Sequence, residues 1–224
     1  MKRRNQSQLL DYLDEQREWR TREISFLRGM LENNTLLNPE QCQVICRAFV
    51  PMVYAHWEGY IKLAAQAFVD FVANQKHPLQ ELSPAFQALY FSIKNDKKLK
   101  ESKRLALENI ISELKNTSNE KIKIPTKNII SAYSNLNSTV LAKICLTIGI
   151  TKENFNHTFT EDDLYFIDEK LVKSRNDIAH GRKNEITIEY TKELSENILR
   201  MTYIFKETIE DLVERKGYLS SEFR

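Results

Sequence analysis

The feature that most limits what this chain can fold into is one long run that begins at Asn38-Pro39. Asparagine is a good N-cap and proline is favoured at the first helical position, so the pair predicts a helix start. The pattern then supports a helix to about residue 75. Pro51 should kink it or split it in two, because proline removes a backbone donor and its ring clashes with the preceding turn. The half from Pro51 to about Val72 is crowded with apolar and aromatic side chains. A helix that is apolar on most sides belongs in the middle of a core.

The segments around it read as helices too. Residues 5–33 carry Leu9, Leu13, Ile24, Leu27 and Leu31 near helical spacing, and Asn33-Asn34 breaks the pattern. Ser83-Pro84 repeats the cap-plus-proline signal and opens a helix through about Ile93. Further helices are predicted over 98–116 and from Ser138 to Ile148, the second closed by Gly149. Thr160 with Asp163 forms a capping-box variant. It heads a helix that carries Leu164, Ile167, Leu171 and Ile178 and ends at Gly181. The β-prone Ile186-Thr187-Ile188 links it to a last helix, about 191–216, with Leu194, Ile198, Met201, Phe205, Ile209 and Leu212 on one face. Gly and Pro number five each in 224 residues, which disfavours a turn-rich β fold. The expected class is therefore all-α. One domain spans 1–224, with core helices at about 5–75 and 160–216. An accessory helical insertion lies at about 78–155, where the core signal is weaker.

Charge says little about partners: 33 basic residues against 31 acidic give a net +2. Three cysteines, Cys42, Cys46 and Cys145, do not make a disulfide framework. Two thiols without a histidine at ligand spacing do not make a zinc site. No apolar h-region and no run near the roughly 20 apolar residues of a membrane span is visible, so a cytoplasmic protein without membrane contact is expected.

The chemically informative segment is Leu171-Val172-Lys173-Ser174-Arg175-Asn176-Asp177-Ile178-Ala179-His180-Gly181. At ~100° per residue, Arg175 falls on the apolar face between Leu171 and Ile178. A guanidinium there is costly unless something anionic pairs with it. Asn176 and His180 are four apart, which places Asn176 to orient His180. Arg, Asn and His can together cleave a phosphodiester without a metal. The ribose 2′-OH attacks the adjacent phosphorus, a base takes its proton, and an acid protonates the leaving oxygen. Arg neutralises the phosphoryl oxygens. The bland alternative is a helix-end salt bridge and a surface histidine. Arg175 and His180 stand about 140° apart on an ideal helix, so one straight helix does not aim both at one phosphate. The helix loosens before Gly181, or two copies of the motif meet across a symmetric dimer.

Arg-x4-His in this Arg-Asn-x-x-Ala-His setting near a helix end resembles the HEPN superfamily. The segment Tyr54-Ala55-His56-Trp57-Glu58-Gly59-Tyr60-Ile61-Lys62 is similar to the corresponding helix of its stand-alone bacterial MAE-like branch. The resemblance covers about 40–75 and 160–215. It implies a HEPN-type helical bundle, usually a homodimer with the motif at the interface, and a metal-independent endoribonuclease that needs no cofactor. Many relatives are toxins or anti-phage effectors, sometimes paired with an antitoxin. Other members are inactive and bind RNA, a nucleotide or a partner protein. Carried over by residue, Arg175 and His180 are the catalytic pair and Asn176 is the polar residue after the arginine.

Supporting candidates are Asp177, to position the motif, His56, to line the cleft, and Glu58, to pair with Arg175; each is equally readable as a solvated or paired structural residue. Lys173, Arg182 and Lys183 surround the motif and are candidates for RNA phosphates. The basic run Lys94, Lys97, Lys98, Lys100, Lys103 and Arg104 is a weaker candidate. Tyr54, Tyr60 and Tyr190 are candidate stacking platforms if exposed. His77 is expected in a turn and His157 in a loop, neither catalytic.

Overall fold

Helix α2, Pro39–Gln75, begins as its capping signal predicts. The Asn38 side chain accepts from the Gln41 N–H, and the Gln41 side chain accepts from the Asn38 N–H. This is seen in a computed structural model that describes residues 5–33, 37–95, 102–117, 121, 124, 129–130, 135–182 and 185–223. The helix does not split at Pro51. Phe49, Val50, Val53 and Tyr54 on either side are buried. Each large apolar side chain contributes about 1.5–3 kcal/mol when buried, and together they outweigh the roughly 3 kcal/mol cost of an interior proline.

α2 packs against α1, Gln6–Glu32, and the two share contacts with the last long helix, which runs Ile188–Glu214. Between α2 and that helix in sequence come α3 (Pro84–Lys94), α4 (Lys103–Thr117), α5 (Ser138–Thr147), α6 (Lys152–Thr158), α7 (Glu161–Tyr165) and α8 (Lys173–Ala179). The last helix is therefore α9. α5 packs on α2, and α6 on α9, so the middle of the chain docks onto the same core. Among the described residues there is no strand, only isolated bridges from Pro78 to Lys121 and from Leu82 to Leu219. The β-prone Ile186-Thr187-Ile188 forms none. Thr187 is the N-cap of α9 instead, accepting from the Tyr190 N–H. Gln43 clamps both backbone polar groups of Ile186 at 3.1 and 3.3 Å, which replaces a strand partner. His157 lies in the last turn of α6 and not in a loop.

α7 and α8 are two ends of one rod. Between them Phe166–Val172 is π-helical, with helical backbone angles at both junctions. A π turn bonds residues five apart. Here the apolar doublets Phe166-Ile167 and Leu171-Val172 are five apart and all four are buried. The wider turn puts both doublets on one face. Gly181 ends the rod at φ 73°. The Gly181 N–H reaches the Ile178 carbonyl and the Arg182 N–H reaches the Asp177 carbonyl, a Schellman closure.

Cys46 and Cys145 are buried free thiols and Cys42 is a partly buried one. Burial, then the neighbouring Cys42, pushes the Cys46 thiol up to about 12, so it packs as a small apolar group. No helix among the described residues is long and apolar enough to cross a membrane.

Asp163 ties the rod to α9. It is buried, it completes the capping box with Thr160, and it pairs with Arg200. Burial alone raises its carboxyl, but Arg200 and the two Thr160 donors prevail and hold it below its ordinary value. Asp163→Asn is expected to cost about 1–2 kcal/mol at neutral pH. A carboxyl depressed in the folded state contributes stability above its unfolded pKa and loses it as pH falls through the folded one, so the deficit should shrink in acid. Urea unfolding of both proteins at acid and neutral pH checks this; a deficit independent of pH would contradict it.

Candidate active site

Restarting the α-helix after the π turn brings α8 against α2 with Arg175 on the shared side. The guanidinium carbon lies 4.9 Å above the centre of the Tyr54 ring. Arg175 Nη1 donates to Asn135 Oδ1 at 3.0 Å and to Asn176 Oδ1 at 2.9 Å. Asn135 Nδ2 donates to the same Asn176 oxygen at 3.2 Å. No ion pair among the described residues involves Arg175. The expected carboxylate partner is therefore replaced by an aromatic face and two amide oxygens. These hold the side chain without neutralising it.

Glu58 supports this cluster from beneath and does not touch Arg175. It accepts from the Tyr54 hydroxyl at 2.5 Å and from Lys62 Nζ at 3.2 Å. Burial, then the bond to Glu58, holds the Tyr54 hydroxyl well above its ordinary pKa. The same hydroxyl accepts from the Leu136 N–H at 2.8 Å, and Trp57 Nε1 donates to the Leu136 carbonyl at 3.3 Å. Ser138 then donates twice to Asp168 of the π segment, at 2.8 and 2.5 Å. Three anchors thus deliver Asn135 to Arg175. Sequence reasoning passed over Asn135. It lies in a segment without periodicity, and the Asn135-Leu136-Asn137-Ser138 run before an apolar helix signals only a cap.

Asn176 binds Arg175 and Asn135 with its side chain, not His180. A charged donor makes the stronger bond for that oxygen. His180 receives only a backbone link, its N–H to the Asn176 carbonyl at 2.9 Å. His180 is the C-cap residue with φ −90° and ψ 12°, and it is exposed. Its side chain makes no hydrogen bond or ion pair among the described residues, so none joins it to Arg175.

The profile of the RiboL-PSP-HEPN family matches residues 15–211. The chain belongs to the HEPN superfamily. The match spans the middle of the chain as well as the core helices, and it does not reach down to the MAE-like branch. No curated protein and no solved structure matches the chain. HEPN membership points in general to a nuclease or RNA-binding role.

The remaining candidates divide around this HEPN motif. Asp177 accepts from Arg182 at 2.7 Å, which spans the helix end. Arg47 of α2 donates to the Arg182 carbonyl at 3.0 Å and tethers the same turn. Lys173 is exposed and pairs with Glu169 at 2.7 Å, and that carboxylate holds its ammonium above the ordinary value. Lys183 lies outside the described residues, as do Lys97, Lys98 and Lys100. Lys94 and Arg104 pair with Glu113 and Glu108.

His56 is not at the motif. It is buried on the opposite side of α2, against Trp19 and 2.8 Å from Glu23 of α1. Two residues along a helix is about 200°, which separates His56 from Tyr54. Tyr54 and Tyr60 are buried, and Tyr190 is tied by its hydroxyl to Ser174 and the Lys170 carbonyl, so none is a free stacking platform. His77 pairs with Glu81 at 2.8 Å. No group of three His, Cys, Asp or Glu among the described residues is placed to hold a metal ion.

Tyr54→Phe keeps the ring under Arg175 but removes the hydroxyl that serves Glu58 and Leu136. A buried N–H left without a partner costs about 1–3 kcal/mol. The variant should lose that much in urea unfolding, and unchanged stability would show that the Leu136 loop is not held through Tyr54.

Proposed function

We propose that this HEPN protein is a metal-independent endoribonuclease that cuts RNA through attack of the ribose 2′-OH. The observation that carries the reading is the state of Arg175. It is fixed in place by neutral partners, and among the described residues no carboxylate competes for its charge. A preorganised, uncompensated guanidinium suits the charge that builds on phosphoryl oxygens in the transition state. Its Nη1 is spoken for, and among the described residues the rest of the fork makes no hydrogen bond.

In the proposed reaction Arg175 binds the non-bridging oxygens of the scissile phosphate. The 2′ oxygen bonds to phosphorus as its proton leaves to a base, and the bond to the 5′ oxygen breaks as that oxygen gains a proton. The products are a 2′,3′-cyclic phosphate and a 5′-hydroxyl. His180 is the proton carrier, exposed and, among the described residues, without a side-chain partner. Asn176 and Asn135 position Arg175, and Asp177 fixes the helix end through Arg182. Lys173, Arg182 and Lys183 contact flanking phosphates. The ion pairs of Lys173 and Arg182 are exposed and therefore weak, so a phosphate can take over either cation. A homodimer with the motif at the interface would bring two Arg175 and two His180 to one cleft, which answers their separation within one chain. The proposed role, a toxin or anti-phage effector with or without an antitoxin, rests on the family resemblance.

A second reading, an inactive HEPN module that binds RNA, a nucleotide or a partner protein, is favoured by one observation. No side-chain bond couples Arg175 to His180 among the described residues. Incubation with cellular RNA in excess EDTA separates the two. Wild type should cut, leaving 2′,3′-cyclic ends, and DNA should resist. Arg175→Ala and His180→Ala should each lose about 100-fold or more in rate. Binding without cleavage by folded, dimeric wild type would favour the second reading, and full activity in either variant would remove that residue from the mechanism.

A further inference from the structure

Between the rod and the turn that leads into α9 lies an open groove of about 630 Å3, walled by Tyr165, Lys170 and Lys173 on one side and by Ile186 and Tyr190 on the other. That is room for a small molecule or a single nucleotide. The groove runs along the motif's own helix. Lys173 and His180 are seven residues apart and so stand about 20° apart on the helical projection, whereas Arg175 turns the other way, towards α2. A strand that leaves the motif on the His180 side runs into this groove.

The π turn shapes it. Residues five apart in such a turn lie one above the other. The spacing that buries Phe166-Ile167 and Leu171-Val172 in the core therefore also sets Tyr165 above Lys170 on the groove side. Tyr165 is 62% exposed, and among the described residues its side chain has no hydrogen bond and no ring against it. It is the open aromatic face that Tyr54, Tyr60 and Tyr190 do not offer. Lys170 lies 5.6 Å over the Tyr190 ring and, among the described residues, forms no ion pair. Tyr190 is itself fixed by Ser174 and the Lys170 carbonyl, so this cation is held by a ring that does not neutralise it.

The other charges cancel. Glu169 is taken by Lys173 and Asp177 by Arg182. Glu185, also in the wall, offsets Lys170 in number. A groove without net positive charge does not collect a long run of phosphates, and one unpaired cation does not match the several phosphates of a free nucleoside triphosphate. An open ring with one cation beside it matches one unpaired nucleotide, whose base stacks and whose phosphate is neutralised.

Resting on the ribonuclease reading above, we propose that this groove is an RNA subsite for one unpaired nucleotide a few positions from the cleaved bond, its base stacked on Tyr165 and its phosphate on Lys170.

The test measures binding of a short, fluorescently labelled single-stranded RNA to the full chain carrying His180→Ala, so that cleavage does not intervene. Adding Tyr165→Ala should weaken binding by about 5- to 150-fold, the range for one stacked base. Adding Tyr165→Phe should leave the affinity of the parent. Adding Lys170→Gln should lower the slope of log affinity against log salt by about 0.7, one single-strand phosphate. RNAs with one base removed, position by position, should include one that the parent and its Tyr165→Ala variant bind equally well, which a general loss of structure would not produce. Equal affinity of the parent and the Tyr165→Ala variant for intact RNA would overturn the subsite, as would a loss that no abasic position cancels; cleavage by wild type in the same preparation would then leave the ribonuclease reading standing. Folded wild type that neither binds nor cuts RNA would overturn both.

Discussion

The bond between the Tyr54 hydroxyl and the Leu136 backbone holds the motif region together. Through it the middle of α2 fixes the segment before α5, and that segment supplies Asn135. The hydroxyl also donates to the Glu58 carboxylate, and hydrogen bonds to charged groups are worth about 1.5–3 kcal/mol, more than neutral ones. Its ring, kept in place by both bonds, is the floor under Arg175. Asp168 then grips the start of α5 from within the rod that carries Arg175. The circuit closes: α2 to the Leu136 loop, the loop to the rod, the rod to Arg175, Arg175 back to α2.

What the amino-acid pattern disclosed is what is local. The Asn38-Pro39 start, the Thr160–Asp163 cap and the Gly181 stop depend on residues a few positions apart, and each forms as expected. Of the two outcomes expected at Pro51 the split does not occur, because the proline's cost is local whereas the burial that holds the helix together is not. The π turn was legible in principle. Phe166-Ile167 and Leu171-Val172 repeat at five residues, but a projection at 3.6 per turn scatters them. Asn135 was not legible, because nothing in the sequence links it to a residue forty positions on. Spacing alone points Asn176 at His180, but the stronger donor next door takes its oxygen. His56 and Glu58 looked like one cluster because they flank Trp57, yet two positions on a helix put them on different sides.

That last point shows how a helix as buried as α2 carries its polar groups. Tyr54, Glu58 and Lys62 form one i, i+4, i+8 row facing the motif. His56 and Tyr60 form a second row about 160° away, facing α1. Each row meets an arginine from a neighbouring helix, Arg175 on one side and Arg20 on the other, and in both places aromatic rings stand where a carboxylate might have been. A ring face stabilises a guanidinium by about 0.5–2 kcal/mol without cancelling its charge. Both guanidinium charges are therefore left in place by their aromatic neighbours.

Fixing Arg175 while leaving His180 loose is a consistent division of labour for the proposed chemistry. Stabilising charge demands a donor already in position, since any reorganisation during the reaction would consume the benefit. Arg175 meets that demand because its two amide partners come from different segments and both hold the same nitrogen. A proton carrier must instead reach two different oxygens. His180 stands where the helix ends, beyond its last regular residue, with a backbone tethered by the Schellman closure and a side chain that no described residue binds. Ordering it then requires something that one chain does not supply, either the substrate or a second copy of the same helix end. On the proposed reading, the site is completed only when RNA or a second copy of the chain arrives.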